Sequence, residues 1–231
     1  MECILKIFDI ARKAGFMKKR IICFGDSNTW GYNPLTGERY DENIRWPMRM
    51  QSLLGEDYQI IEEGQNGRTI ACEDPWEWGN KKALDYILPM VESHRPFDLL
   101  IIMLGSNDLK KKFNLPAGDI AGSLKTMLMH LKGFLKYKCG MNPKVLIVSP
   151  VWIGEGISES RFAEFFDGEN TVQNSKRLAY WYEEAAKLFE YEYFDASTVA
   201  QAGLIDCLHM EADGHEKLAN ALAEAVRNIF N

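Results

Sequence analysis

At 231 residues, 46% hydrophobic and 26% charged, the chain has the composition of an ordinary globular protein with material for a sizeable core. Its 33 acidic against 27 basic side chains leave a net charge of −6, which excludes the basic footprint of a nucleic-acid binder and reads Lys18-Lys19-Arg20 and Lys110-Lys111-Lys112 as solvated surface. Five scattered cysteines with no CxxC or CxxH pair suggest neither a disulfide framework nor a metal site and fit a reducing cytoplasm, and no apolar run is long enough to serve as an export signal or cross a bilayer.

Taken in chain order, residues 1–18 read as a leader. It is either a short amphipathic helix, with Ile4, Phe8 and Ala11 on one face, or a dispensable extension, because Met17-Lys18-Lys19-Arg20 is itself a natural beginning. From there residues 19–231 read as one domain. Arg20 to Phe24 predicts a first strand, closed by Gly25-Asp26-Ser27-Asn28, and Trp46 to Leu54 predicts a helix. A second strand, Tyr58 to Glu62, runs into a turn at Asn66-Gly67, followed by a helix over Lys81 to Ser93. The near-continuous apolar run Leu99 to Leu104 predicts a strand buried on both faces, which requires a parallel sheet covered by helices. Gly105-Ser106-Asn107-Asp108 closes it. The remaining elements are a helix over Ala117 to Tyr137, a strand over Lys144 to Ser149, a helix over Thr171 to Phe189, a strand over Tyr191 to Phe194 and a last helix over Ala212 to Phe230. The class is α/β, and the loops beyond the strand carboxyl ends would gather Ser27, Gly67, Asn107 and the pair Asp206/His209 at one edge.

Together these fragments supply a nucleophile, a base and an orienter. A serine hydroxyl attacks once an imidazole takes its proton, and a carboxylate fixes the tautomer of that imidazole. The gap of three between Asp206 and His209 lets one turn present the carboxylate to the ring. Each fragment also has a purely structural reading: Ser27 as a helix N-cap, Asn66-Gly67 as a turn, Asn107 as an Asx turn. The functional readings of the last two are an oxyanion donor from the Gly67 backbone and another from the Asn107 amide. His94, His130 and His215 read as structural, with His215 helping to start or pack the last helix. Glu62 and Glu63, neighbours on a strand, point to opposite faces and make a poor glycosidase pair.

As a set, Gly25-Asp26-Ser27, Gly67, Gly105-Ser106-Asn107-Asp108 and Asp206-Cys207-Leu208-His209, carried further by Phe24 to Gly31, Arg45-Trp46, Ile60-Ile61-Glu62-Glu63-Gly64 with Arg68-Thr69, and Leu100 to Asp108, resemble the SGNH hydrolase superfamily, the GDSL esterases and lipases. The likeness spans about Lys19 to Phe230 and is greatest to an arylesterase and acyltransferase branch typified by a mycobacterial acyltransferase. The sequence departs from that branch in carrying glycine at position 67 and through Trp152 to Asn174. The resemblance implies a three-layer α/β/α sandwich around a five-stranded parallel sheet, a flavodoxin-like fold. It implies Ser27 as nucleophile, His209 as general base and Asp206 as its orienter, with the oxyanion held by the Ser27 and Gly67 N–H groups and the Asn107 amide. By resemblance, too, the chain would form a homo-oligomer.

The expected activity is a serine esterase that needs no cofactor and acts on small-molecule esters, hydrolysing or transferring short acyl groups. Asp26, Trp30, Trp46, Trp76, Trp78 and Trp152, with Tyr32, are the candidates for the substrate pocket, the aromatic ones as an apolar wall. An alternative within enzymes is a carbohydrate acetylesterase whose aromatic loops stack on sugar rings. A reading from another class, a phosphate- or flavin-binding module cradling its ligand on Asp26-Ser27-Asn28-Thr29, leaves Asn107, Asp206 and His209 without work.

Overall fold

The computed structural model describes residues 18–231, so the leader reading lies, Lys18 apart, outside the described residues. The five apolar runs form β1 (Lys19–Gly25), β2 (Tyr58–Gly64), β3 (Leu99–Met103), β4 (Lys144–Ser149) and β5 (Glu192–Asp195). Every neighbouring pair is parallel, in the order β2-β1-β3-β4-β5. β3, at the centre, is buried at every position, as its unbroken apolar run demands.

Alternation along the strands divides the core in two. Ile22, Phe24, Leu100, Ile102 and Ile147 belong to the face covered by α3 (Ala83–His94), α4 (Ala117–Gly133) and α5 (Gly168–Phe189). Ile21, Cys23, Leu99, Ile101 and Val148 belong to the face covered by α2 (Trp46–Leu54) and α6 (Ala212–Phe230). The three-layer sandwich follows directly.

Two helix boundaries differ from expectation for identifiable reasons. α3 starts at Ala83 rather than Lys81, because Lys81 and Lys82 lie alongside Thr69: the Thr69 N–H donates to the Lys81 carbonyl and the Ala83 N–H to the Thr69 carbonyl. α4 stops at Gly133 and continues as a π-helical turn, Phe134–Cys139, closed by Gly140 in the left-handed region.

In this strand order the connections reverse between β1 and β3, which opens a crevice at their carboxyl ends. A short helix, α1 (Ser27–Trp30), leaves β1 there and lies down on the sheet. Two glycines permit the approach: a Cβ on Gly25 would meet Thr29 Oγ1 at 2.1 Å, and one on Gly64 would meet the Trp30 nitrogen at 2.2 Å.

Candidate active site

Asp26 caps α1, its Oδ1 accepting from the Asn28 N–H at 3.0 Å. Capping is therefore the work of Asp26, and the Ser27 hydroxyl is left for another partner. Asp26 lies under the site and does not line the pocket for which it was a candidate. Burial raises its pKa to about 6, against the opposing pull of the Asn28 amide and the His209 and Arg68 charges.

Ser27 Oγ lies 2.8 Å from His209 Nε2, and His209 Nδ1 lies 2.8 Å from Asp206 Oδ2. The other Asp206 oxygen accepts the N–H groups of Leu208 at 3.0 Å and His209 at 2.8 Å, so the carboxylate is clamped by the turn that carries the histidine. Burial of Asp206 favours its neutral form, but the His209 side chain and these two amides outweigh that and hold its pKa below the ordinary value. The Nδ1 contact assigns that proton to the Asp206 side of the ring, leaving Nε2 to accept from Ser27. The ring is held between Tyr32, 4.3 Å away between centroids, and the edge of Phe162 at 5.5 Å. Asn28 ties the two distant segments together: its Oδ1 accepts from the Met210 N–H at 2.9 Å and its Nδ2 donates to the Leu208 carbonyl at 3.3 Å. In the sequence Asn28 was only a neighbour of Ser27, because nothing local shows that its amide faces residues 180 and 182 positions away.

Gly67 and Asn107 stand at the same crevice as Ser27. Gly67 has φ +77°, a region that favours glycine, and the carboxylate of Glu77 lies where a Cβ would sit, 2.9 Å from its Cδ. Asn107 Nδ2 donates to the Arg68 carbonyl at 3.2 Å, which uses one of its two amide hydrogens and leaves the second for an oxyanion. Buried Arg68 anchors the Gly67 turn by donating to the carbonyls of Gly25, at 2.8 Å, and Glu63. Asp108 anchors it from the other side, accepting the Ile70 N–H at 3.0 Å, and burial raises the Asp108 pKa to about 7.

The pocket beside Ser27 has a volume of about 210 Å³. Its apolar wall is Tyr32, Phe162, Phe165, Phe166 and Leu208; its polar wall is Asn66, Glu77 and Lys110. Of the proposed aromatic residues only Tyr32 is there, and the tryptophan wall is corrected. Trp30 stacks under the Arg39 guanidinium, and Trp46 is fully buried at the start of α2, its backbone N–H donating to His215 Nδ1. Trp76, Trp78 and Trp152 are exposed, Trp78 to 95%, with Lys112 over the Trp76 ring and Lys176 over that of Trp152. The reading of Lys110 as solvated surface is also overturned. Its ammonium is buried against Asp74 Oδ2 at 3.0 Å and Glu77 Oε1 at 3.1 Å, and Lys112 pairs with the other Asp74 oxygen. The phenylalanines were missed because they arrive from a segment with neither strand nor helix periodicity. Glu62 pairs with the Arg45 guanidinium, and Glu63 lies 2.6 Å from His94 Nε2. Among the described residues no group of three or more His, Cys, Asp or Glu is placed to hold a metal ion.

The sequence model of the GDSL-like lipase/acylhydrolase family matches residues 23–217, a span that includes Ser27, Gly67, Asn107, Asp206 and His209. A carbohydrate acetylesterase from Sinorhizobium meliloti is 32% identical with a TM-score of 0.83, the match covering 92% of this chain and 100% of that one. The native aryl esterase of M. smegmatis is 34% identical with a TM-score of 0.81, over 91% of this chain and 99% of that one. No curated protein matches significantly.

Proposed function

The chain belongs to the GDSL-like lipase/acylhydrolase family and is a carboxylic ester hydrolase, and from that premise we propose that Ser27 is its nucleophile, His209 its general base and Asp206 the orienter of His209. The observation that carries this reading is the unbroken relay from Ser27 through His209 to Asp206, with 2.8 Å at each step. Ser27 Oγ attacks the ester carbonyl as its proton passes to His209 Nε2, and Asp206 stabilises the imidazolium. The N–H groups of Ser27 and Gly67 and the free hydrogen of the Asn107 amide receive the oxyanion. His209 then protonates the departing alkoxide, leaving an acyl group on Ser27. Water, or a second alcohol, gives its proton to His209 and attacks that acyl group, releasing the acid or a new ester and restoring Ser27.

A cavity of about 210 Å³ closed by phenylalanines supports short acyl groups, since sites for larger ligands run to roughly 300–1,000 Å³. Hydrolysis of p-nitrophenyl acetate by wild type and Ser27→Ala side by side tests the assignment. Activity should vanish in the variant, and equal rates in both would sink the serine mechanism. Faster turnover of a dodecanoyl than of an acetyl ester would overturn the preference for short chains. The polar wall of Asn66, Glu77 and Lys110, together with the Sinorhizobium meliloti relative, supports a second reading in which the acyl donor is an acetylated carbohydrate. Acetate release from acetylated xylose, measured beside an aryl acetate, decides between the two.

We also propose a cytoplasmic site of action and a homo-oligomer. The unpaired cysteines 23, 72, 139 and 207 support a cytoplasmic, reducing compartment. The exposed Leu35, Trp76, Trp78 and Leu204, all on loops of the sheet edge that carries the site, support a homo-oligomer, which size-exclusion with light scattering tests. No helix among the described residues is long and apolar enough to cross a membrane.

A further inference from the structure

Arg161 takes no part in the acyl transfer just described, yet it touches the site from three directions. It follows a 3-10 turn, Glu155–Glu159, and directly precedes the phenylalanines of the pocket wall. Its Nη2 donates to the Pro34 carbonyl at 2.5 Å and to Asp206 Oδ2 at 3.3 Å, the same oxygen that takes the Nδ1–H of His209. The guanidinium carbon lies 5.6 Å from the Tyr32 ring centre and 5.3 Å from that of Phe162, the two rings that flank His209. One planar cation thus joins the wall segment, the loop after α1 and the loop bearing Asp206. A guanidinium suits this position because it offers several donors in one plane and faces that stack on aromatic rings.

The wall segment has other tethers, but they lie toward its ends. The Ile153 N–H donates to Ser175 Oγ at 3.1 Å, the Gly154 N–H to the Cys207 carbonyl at 2.7 Å, and the Lys111 N–H to the Phe165 carbonyl at 2.8 Å. Lys176 Nζ also reaches Glu155 Oε1 at 3.4 Å, and between residues 157 and 164 the backbone bonds are local, such as the Ala163 N–H to the Ser160 carbonyl at 3.0 Å and the Phe162 N–H to Ser160 Oγ at 3.1 Å. Ile157 and Phe166 anchor the two sides of this stretch in the core, and between them the Arg161 contact to Pro34 and Asp206 is the side-chain tether next to Phe162 that reaches the loops of the site.

We propose that Arg161 is a positioning and specificity-determining residue: it holds the wall of residues 162–166 closed against the His209 loop, limits the pocket to short acyl chains, and steadies Asp206 beneath His209. The specificity half rests on the acyl-pocket reading above. Opening the wall removes the contacts that grip an acetyl group and makes room for a longer chain, so the two substrates should respond in opposite directions.

The test compares wild type, Arg161→Met and Arg161→Lys by kcat and KM on p-nitrophenyl acetate and octanoate, and by amide hydrogen exchange over residues 153–166 and 203–210. Methionine keeps an apolar stem on the two rings without the donors or the charge. In Arg161→Met the octanoate-to-acetate ratio of kcat/KM should rise about tenfold or more, through a lower KM for octanoate and a lower kcat for acetate. The Gly154, Ala163, Phe165 and Cys207 amides should exchange at least about tenfold faster, while β3 keeps wild-type protection. Lysine should restore part of both effects. A ratio within about twofold of wild type, a uniform loss on both esters, or unchanged exchange in the wall segment overturns the proposal. A wild type inert on both esters defeats the short-acyl-pocket reading, and exchange alone then decides whether Arg161 holds the wall.

Discussion

Among single residues, Asn107 and Asn28 separate two ways of serving one reaction. Asn107 would meet the substrate only as charge develops on its carbonyl oxygen. Asn107→Ala should therefore cost on the order of 3 kcal/mol of transition-state stabilisation, about a hundredfold in kcat with KM little changed. A rate within about twofold of wild type would remove that role. Asn28 does not line the pocket but bonds both Leu208 and Met210 on either side of the histidine. Asn28→Ala should lower kcat by roughly tenfold or more, because a small displacement of a general base is costly. Steady-state kinetics on an aryl acetate measures both, and an Asn28 variant with wild-type kcat would show that the Asp206 turn holds the ring unaided.

The short helix α1 illustrates what an element must do to present one hydroxyl. It can rest on the sheet only because Gly25 and Gly64 carry no side chain, so Gly64→Ala should destabilise the fold by about 2 kcal/mol or more and reduce esterase activity in the same preparation. Urea melts check the first effect and a Ser27 rate assay the second. The docking of α2 on α6 depends instead on a buried histidine. His215, in the first turn of α6, accepts the Trp46 N–H at 3.3 Å, and burial lowers its pKa to about 3. The native state thus resists a proton that the unfolded chain takes up near pH 6.5, so this group's stabilisation is full above that pH and is lost as the pH falls toward 3. Between about pH 6.5 and pH 4 the loss should be roughly 3 kcal/mol. His215→Asn keeps an acceptor for Trp46 and carries no titrating group, so its melts should lack that component. Equal acid sensitivity in the variant and wild type would argue against it.

Across the whole molecule the sheet edge concentrates buried charge of opposite tendencies. Asp26 and Asp108, raised by burial to about 6 and about 7, retain protons in the native state that the unfolded chain has already released. Their contribution is full below the ordinary carboxylate pKa and is lost as pH rises from about 4 to about 7, opposing the His215 component over the same range, so their part of the stability should decline across that window and be flat above it. Asp108→Asn, which keeps an acceptor for Ile70, should flatten that decline, and an unchanged slope would deny Asp108 the role. The parts of this architecture differ in how far they could be read along the chain. All five strands, the α/β class and the relay residues Ser27, Asp206 and His209 were legible, because an apolar run buried on both faces, a helical period and a carboxylate three residues from a histidine are local patterns whose geometry follows from the backbone. The walls of the pocket were not. Lys110 is buried because Asp74 and Glu77, 36 and 33 positions earlier, lie against it, and a run of three lysines gives no sign of such partners. The tryptophans stay outside the pocket, and Phe162, Phe165 and Phe166 fill it, because an irregular segment bonded at Cys207, Ser175, Asp206 and Pro34 folds back over the crevice. Local pattern determined the elements and the polar residues at their ends; the side chains that line the crevice were decided by contacts between distant segments, which no periodicity encodes.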